Sequence, residues 1–222
     1  MKIISVVPAR MGSQRLKHKN LRELDHIPLI VRAIRKCKNA DIFEEIWVNS
    51  EHKAFEEIAV AEGVKFHQRP EELSNDTATS EQFIAEFLTK RKCDYLFQIH
   101  SIAPLVTVND IRMFVEFMLN SDYDCVLSTE EIQIECAYRN KPVNFSYSEK
   151  TNSQNLKPVQ RVSWSITGWK RETFLNAVKN EKCATYAGKV GYYPISRLAA
   201  HVIKTEEDLR YAEALLPFVS DC

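Results

Sequence analysis

Short apolar runs alternate along this chain with longer polar stretches of helical period. Ile3 to Val7 reads as a buried strand, stopped by Pro8, which has no N–H for a sheet ladder. Pro28 to Ala40 carries Leu29, Ile30, Ala33, Ile34 and Cys37 at helical spacing. Ile46 to Ser50 predicts a second strand, His52 to Glu62 a second helix ended by Gly63, and Val64 to His67 a short third strand. This β-α-β-α-β rhythm argues for an α/β protein with a parallel sheet and right-handed crossovers.

The rhythm continues. Glu81 to Lys90 predicts a helix burying Phe83, Ile84, Phe87 and Leu88, and Tyr95 to Ile99 predicts a strand. Thr107 and Asp110 form a capping box before a helix with Ile111, Phe114, Val115, Met118 and Leu119 inward. Asp124 to Thr129 is the next strand. Glu130 to Trp169 then breaks the pattern. Val143 to Ser148 alternates, Glu149 to Asn152 has the composition of a hairpin tip, and Val159 to Trp169 alternates again. Trp164 and Trp169 suit either a dimer seam or packing beneath the hairpin. A last strand is expected at Leu198 to Ile203, followed by a helix capped by Thr205 and Asp208 with Leu209, Ala212, Leu215 and Leu216 on one face.

Composition narrows the class. The chain has 222 residues, 45% of them hydrophobic, enough for one ordinary domain with an arm. Thirty basic and thirty acidic residues leave no net charge, which argues against a general nucleic-acid or membrane-surface binder. Cys37, Cys93, Cys125, Cys136, Cys183 and Cys222 are scattered without a CxxC pair, so neither a zinc site nor a disulfide framework is indicated. The first three sit in or beside apolar elements and read as small core residues. With no signal-peptide core and no apolar run of membrane-spanning length, a reducing cytoplasm is the expected location.

The candidate chemistry lies just after the first strand. That loop holds Gly12, Ser13, Arg10, Arg15, Lys17 and Lys19, with Arg22 beyond it. Strand, glycine-bearing basic loop, then helix is how α/β proteins offer backbone N–H groups and positive charge to a phosphate. Neither GxxxxGK[ST] nor GxGxxG is present. On residue types alone, a solvated loop remains the alternative. A second polar stretch, Arg69 to Ser80, reads either as a loop ending in a helix cap or as a ligand contact.

The strings themselves are more specific. Ala9-Arg10-x-Gly12-Ser13-x-Arg15-Leu16-x-x-Lys19-Asn20 closely resembles the signature of the CMP-sugar synthetases that activate sialic acid and related nonulosonic acids. Arg69-Pro70-x-x-Leu73-x-x-Asp76-Thr77-x-x-Ser80 resembles the second motif of that family, and the Thr205-x-x-Asp208-Leu209 helix its C-terminal segment. Asn152 to Val159 faintly resembles its RxQxLPPV stretch.

The resemblance implies a Rossmann-like nucleotidyltransferase fold, a mostly parallel sheet flanked by helices, forming a single domain over 1–222. A β-hairpin dimerisation arm would be inserted at about 138–168. It implies transfer of CMP from CTP to a sugar acid. Arg10 and Lys19 would hold the triphosphate as the catalytic pair, and Ala9, Gly12, Ser13, Asn20, Arg69 and Ser80 would contact the nucleotide. Aligned back from Pro104-Leu105, His100 stands where the family has a glutamine, at the C-terminal end of a sheet strand; it reads either as an acceptor-contacting or proton-accepting imidazole or as a hydrogen-bonded interior histidine, and the resemblance implies a place near the acceptor. The partners implied are CTP, a small sugar acid and a second copy of the chain.

The resemblance also implies Mg²⁺, held in the family by an aspartate pair just before the last helix. Here those positions are Val202 and Lys204, so the ligands are not identifiable. The family's Gln-Pro-Thr-Ser-Pro-Leu-Arg stretch survives only as Pro104 and Leu105, and its Ser-Thr-Asp reads Asn49-Ser50-Glu51. Three accounts follow. The metal is held elsewhere, for instance by Asp76 and the nucleotide's phosphates, or Lys204 replaces its charge, or the chain binds nucleotide without turnover. The last would be a divergent paralogue, or one using a phosphorylated or phosphonate acid acceptor.

Overall fold

A computed structural model describes residues 1–219; Cys222 lies outside them. Eleven strands are present: β1 (Ile3–Pro8), β2 (Glu23–Leu24), β3 (Ile27–Pro28), β4 (Glu45–Ser50), β5 (Lys65–Gln68), β6 (Tyr95–Ile99), β7 (Cys125–Ile132), β8 (Ala137–Tyr138), β9 (Lys141–Pro142), β10 (Val159–Lys170) and β11 (Val190–Pro194). The helices are α1 (Leu29–Ala40), α2 (Lys53–Ala61), α3 (Ser80–Lys90), α4 (Val108–Leu119), α5 (Arg171–Lys179) and α6 (Glu206–Leu215). Seven strands form the main sheet in the order β11-β7-β10-β6-β1-β4-β5. All neighbours pair in parallel except β10, which runs antiparallel to both β6 and β7. The sheet is therefore mostly parallel, as the rhythm predicts.

Both faces of the sheet are covered, as parallel strands require. Val7, Val48 and Phe97 on one face pack against Ile34, Phe55, Phe114 and Met118 of α1, α2 and α4. Ile4, Val6, Leu96 and Leu127 on the other pack against Ile84, Phe87, Phe174 and Ala177 of α3 and α5. Close approach of α4 leaves no room at Gly168, where a Cβ would lie 2.5 Å from Met118 Sδ and 2.8 Å from the Phe97 ring. The boxes at Thr107/Asp110 and Thr205/Asp208 are formed, and Thr79 with Gln82 makes a third.

Several expectations are corrected. The basic loop does not run straight into a helix. A 3-10 turn at Lys19–Leu21 and the β2–β3 ribbon intervene, so the α1 N-terminus, preceded by Pro28, is not joined directly to the loop. No hairpin forms over 143–152. A two-residue ribbon, β8–β9, turns instead at Arg139 and Asn140, both in the left-handed region that tight hairpin turns favour. β10 belongs to the main sheet, so an arm spans at most 133–158 rather than 138–168. Leu198 to Ile203 is not a strand. Ala200 and His201 donate their N–H groups to Ser196 and Leu198, and the run buries Ala199 and Ala200 by turning inward. α5 and β11, with Gly191 and Pro194 inside it, occupy a stretch where no element was expected. Trp169 is buried core, stacked edge-on to Phe174 with Nε1 donating to Thr185 O, and is no dimer seam. Trp164 is half-buried beside Tyr186.

One strand irregularity bears on the site. Between Val162 and Thr167 the β10–β7 register shifts, with Trp164 at φ 59°. The N–H groups freed by this bulge are taken up by the Ser128 hydroxyl, which accepts from Ser165 N and Ile166 N. Ser165 O in turn accepts from His100 N, fixing the residue that follows β6.

Candidate functional site

The C-terminal ends of β1 and β6 open onto a cleft of about 420 Å³, lined by Ala9, Arg10, Ser13, Lys19, Asn20, Arg69, Ser80 and His100, together with Pro8, Gln14, Arg15, Asp76 and Phe83. Ligands in open α/β sheets bind at these strand ends. The lining joins three segments distant in sequence, the basic loop, the Arg69–Ser80 loop and the end of β6. Gly12 is the one expected contact that stays outside, exposed and with open space around it. A larger cleft of about 740 Å³ lies between the β2–β3 turn and the C-terminal residues. Its lining is mixed in charge, with Glu23, Asp25 and Glu213 beside Arg32, whose Nη2 already donates to Leu24 O. It lacks the excess of cations that a polyphosphate needs.

The cleft is braced from beneath. Asn20 is buried, its Nδ2 donating 3.0 Å to Arg10 O and its Oδ1 accepting 2.8 Å from Ser101 Oγ, so it ties the basic loop to the turn after β6. Arg69 is 3% exposed, donates from Nε and Nη2 to Asn49 Oδ1 and O at 2.7 Å, and lies 4.1 Å over the Phe83 ring. Burial lowers its pKa to about 10, which still leaves it cationic at neutral pH. Asn49 and Phe83 are thus supports that sequence reasoning missed. Neither has a motif of its own, and only the register of β4 against β5 brings Asn49 beneath Arg69.

Arg10 crosses the cleft mouth, its Nη1 lying 3.0 Å from both Asn75 O and Asp76 Oδ1. Gln14 Nε2 donates 2.5 Å to Asp76 Oδ2. Leu16 is buried with Leu24, Leu29, Ile203 and Leu209, which fastens the loop to α6. Arg22 forks onto Glu206 at 2.7 and 2.8 Å, a second fastening between the same two segments. Ser80 opens α3, beside the Thr79 cap.

The electrostatics are one-sided. Arg15, Lys19 and Lys204 have no ion-pair partner among the described residues, whereas Arg10 and Arg22 do. Burial lowers the Lys19 pKa first, and Arg15, Arg10 and Lys204 lower it further. His100 is pushed down to about 4, mainly by burial and then by Lys19, so its imidazole is neutral at pH 7. The Gln98 amide meets His100 Nε2, while Gln98 Oε1 is buried without a partner.

A divalent metal does not fit this donor set. Among the described residues no group of three or more His, Cys, Asp or Glu is placed to hold one. Val202 is half-buried against the core and offers no donor. Lys204 offers a cation. Asp76 is engaged by Arg10 and Gln14, against its expected use as a metal ligand, and Asp208 accepts from Lys204 N, Thr205 N and Thr205 Oγ1.

Comparison with known proteins places this geometry. A family model described as Cytidylyltransferase matches residues 4–216. N-acylneuraminate cytidylyltransferase A of Danio rerio is 29% identical over 197 residues, which is 86% of this chain and 45% of that protein. Post-translational flagellin modification protein B of Campylobacter coli is 24% identical over 232 residues, covering 96% of this chain and 94% of that one. This chain spans about half the length of the N-acylneuraminate cytidylyltransferases it matches from Danio rerio and Streptococcus agalactiae. A solved CMP:2-keto-3-deoxy-manno-octonic acid synthetase complexed with CTP superposes with a TM-score of 0.74 at 16% identity, over 98% of this chain and 99% of that one. At that identity the likeness is one of fold. No helix among the described residues is long and apolar enough to cross a membrane.

Proposed function

The chain belongs to the cytidylyltransferase family, and on that premise we propose that it transfers CMP from CTP to a nonulosonic, sialic-acid-like sugar acid. The observation that carries this reading is the convergence of Arg10, Ser13, Lys19, Asn20, Arg69 and Ser80 on one cleft. The acceptor's anomeric hydroxyl oxygen attacks the α-phosphorus. An O–P bond forms, the bond from that phosphorus to the bridging oxygen breaks, pyrophosphate leaves with the electron pair, and the hydroxyl proton passes to water. Little covalent help is required of the protein. Its part is to position the reactants and to stabilise charge on phosphoryl oxygens.

In this reading Arg10 and Lys19 are the catalytic cations on the phosphates. Ala9, Ser13, Asn20, Arg69 and Ser80 hold the nucleotide, with the Gly12 backbone within the same loop. Neutral His100, which lines the cleft, offers its Nδ1–H to the acceptor as a hydrogen-bond donor, its Nε2 being taken by the Gln98 amide. A second copy of the chain is the proposed partner, docking on the 133–158 segment, where Ile134, Tyr138, Val143 and Tyr147 are exposed. The test is pyrophosphate release from CTP with a panel of nonulosonic acids. A folded protein that releases none with any of them overturns the reading.

The cations at and around the metal position favour one second reading. A paralogue would bind nucleotide without turning it over, or would use a phosphorylated or phosphonate acid. CTP binding without pyrophosphate release from any nonulosonic acid would support it.

A further inference from the structure

Two positions near the cleft depart from the expected pair of carboxylates, Val202 by removing the charge and Lys204 by inverting it. The segment from Val202 to Lys204 is pinned to the turn that follows β6, because Ile203 N donates 2.8 Å to Ile102 O. The same turn carries His100, which lines the cleft, and Ser101, which holds Asn20. Ile203 is fully buried with Leu16 of the basic loop, so this segment and that loop share one small apolar cluster. Lys204 is thereby placed on the Lys19 side of the cleft, and the two ammonium groups interact electrostatically.

The charges there are unbalanced. Lys204 holds Asp208 through its backbone N–H at 2.9 Å, while its ammonium has no ion-pair or hydrogen-bond partner among the described residues. Asp208 spends its Oδ2 on the helix cap. Lys19 and Arg15 are likewise unpaired. Asp208 offsets part of the positive field at Lys19, yet three cations without ion-pair partners repel one another, and that cost is recovered when a polyanion enters. Lys19, already disfavoured in its charged form by burial and these neighbours, gains most from such a ligand.

We infer that Lys204, with Lys19 and Arg15, neutralises the triphosphate directly, in the role a protein-held divalent cation would fill, so that nucleotide binding requires no metal bound to protein carboxylates. This rests on the nucleotide-cleft reading above. An ammonium is a compact point charge with three donors, suited to bridging phosphate oxygens. The nucleotide remains free to carry its own solution cation; what this chain lacks is a carboxylate pair to receive it.

The test is calorimetric titration of CTP, and separately of CMP, into the full chain with excess Mg²⁺ and with EDTA. The inference expects CTP affinity to change less than about threefold between the two conditions, since side-chain cations do the neutralising. Lys204→Ala should weaken CTP about tenfold or more, the loss typical of a charge-assisted contact. It should weaken CMP much less, because CMP lacks the outer phosphates, and Lys204→Arg should retain most CTP affinity. Replacing Val202 and Lys204 together by Asp should make CTP binding metal-dependent. Parent protein that binds CTP only with Mg²⁺, or Lys204→Ala that binds CTP as the parent does, overturns the inference and leaves the nucleotide reading standing. Parent protein that binds no CTP under either condition overturns both. Lys204 is exposed, so an unchanged melting curve for each variant separates loss of charge from loss of fold.

Discussion

Arg10 and Asp76 close the mouth of the cleft with an ion pair 3.0 Å long. They belong to the two loops that a nucleotide bound in the proposed mode would part or bridge. A phosphate arriving at Arg10 competes with the Asp76 carboxylate, and any cation attracted by Asp76 competes with Arg10. Asp76→Asn therefore frees Arg10 without emptying the cleft. Both side chains are more than a third or about a third exposed, so the pair contributes no more than about 1 kcal/mol to stability. The expected result is a melting temperature close to the parent's, with CTP bound a few-fold more tightly in titration.

Arg69 behaves oppositely because it is dry. Its Nε and Nη2 satisfy Asn49 Oδ1 and O, and removing it strips the buried Oδ1 of its donor and leaves the carbonyl oxygen only Ala9 N. Arg69→Ala should cost about 2–4 kcal/mol in urea unfolding, and Arg69→Lys should recover only part, since one ammonium cannot reproduce the fork. Arg10→Ala in the same assay should cost less than about 1 kcal/mol while abolishing most CTP binding.

Acid should act through His100. Its folded pKa of about 4 lies below the ordinary 6.5, so the unfolded chain takes up the proton first. Stability contributed by the neutral imidazole is full above pH 6.5 and is lost as pH falls from 6.5 through about 4. Part of the ring faces the open cleft, so the loss is about 1–3 kcal/mol rather than the full desolvation value. Unfolding free energies of the parent and His100→Gln, measured from pH 7 to 4, should diverge in slope over this window. Equal slopes would remove His100 from the account. His67 is also lowered, chiefly by burial and against the raising effect of Glu86, and contributes equally to both proteins.

Leu16 tests the fastening of the loop. It is 5% exposed and packs with Leu209 and Ile203. Leu16→Ala should cost about 2–3 kcal/mol, the lower part of the range for buried leucine, because a loop relaxes more readily than a sheet core. CTP affinity should fall as well, though Leu16 does not line the cleft. Unchanged affinity would show that Asn20 and the Arg22–Glu206 fork suffice to position the loop.

The central strands and five of the helices were legible because their apolar periods are clean and several of their caps are chemical. Thr107 with Asp110 and Thr205 with Asp208 announce helix starts in four residues. The arm was not legible. Val143 to Ser148 alternates like a strand but has no partner to pair with, and periodicity is blind to that. Leu198 to Ile203 is apolar because it turns into the core, not because it extends. In the cleft, motif residues were legible, while Asn49, Phe83 and Gln98 were not. Their roles come from register and stacking between segments far apart in sequence.

The Arg22–Glu206 fork joins residues 184 positions apart. The basic loop therefore leaves the ribosome long before its clasp, with most of the main sheet made in between. Until α6 has cleared the exit tunnel, a nascent chain can hold every strand of its sheet while that loop still lacks its clasp, so the loop's fixed position should appear in one step rather than build up along the chain.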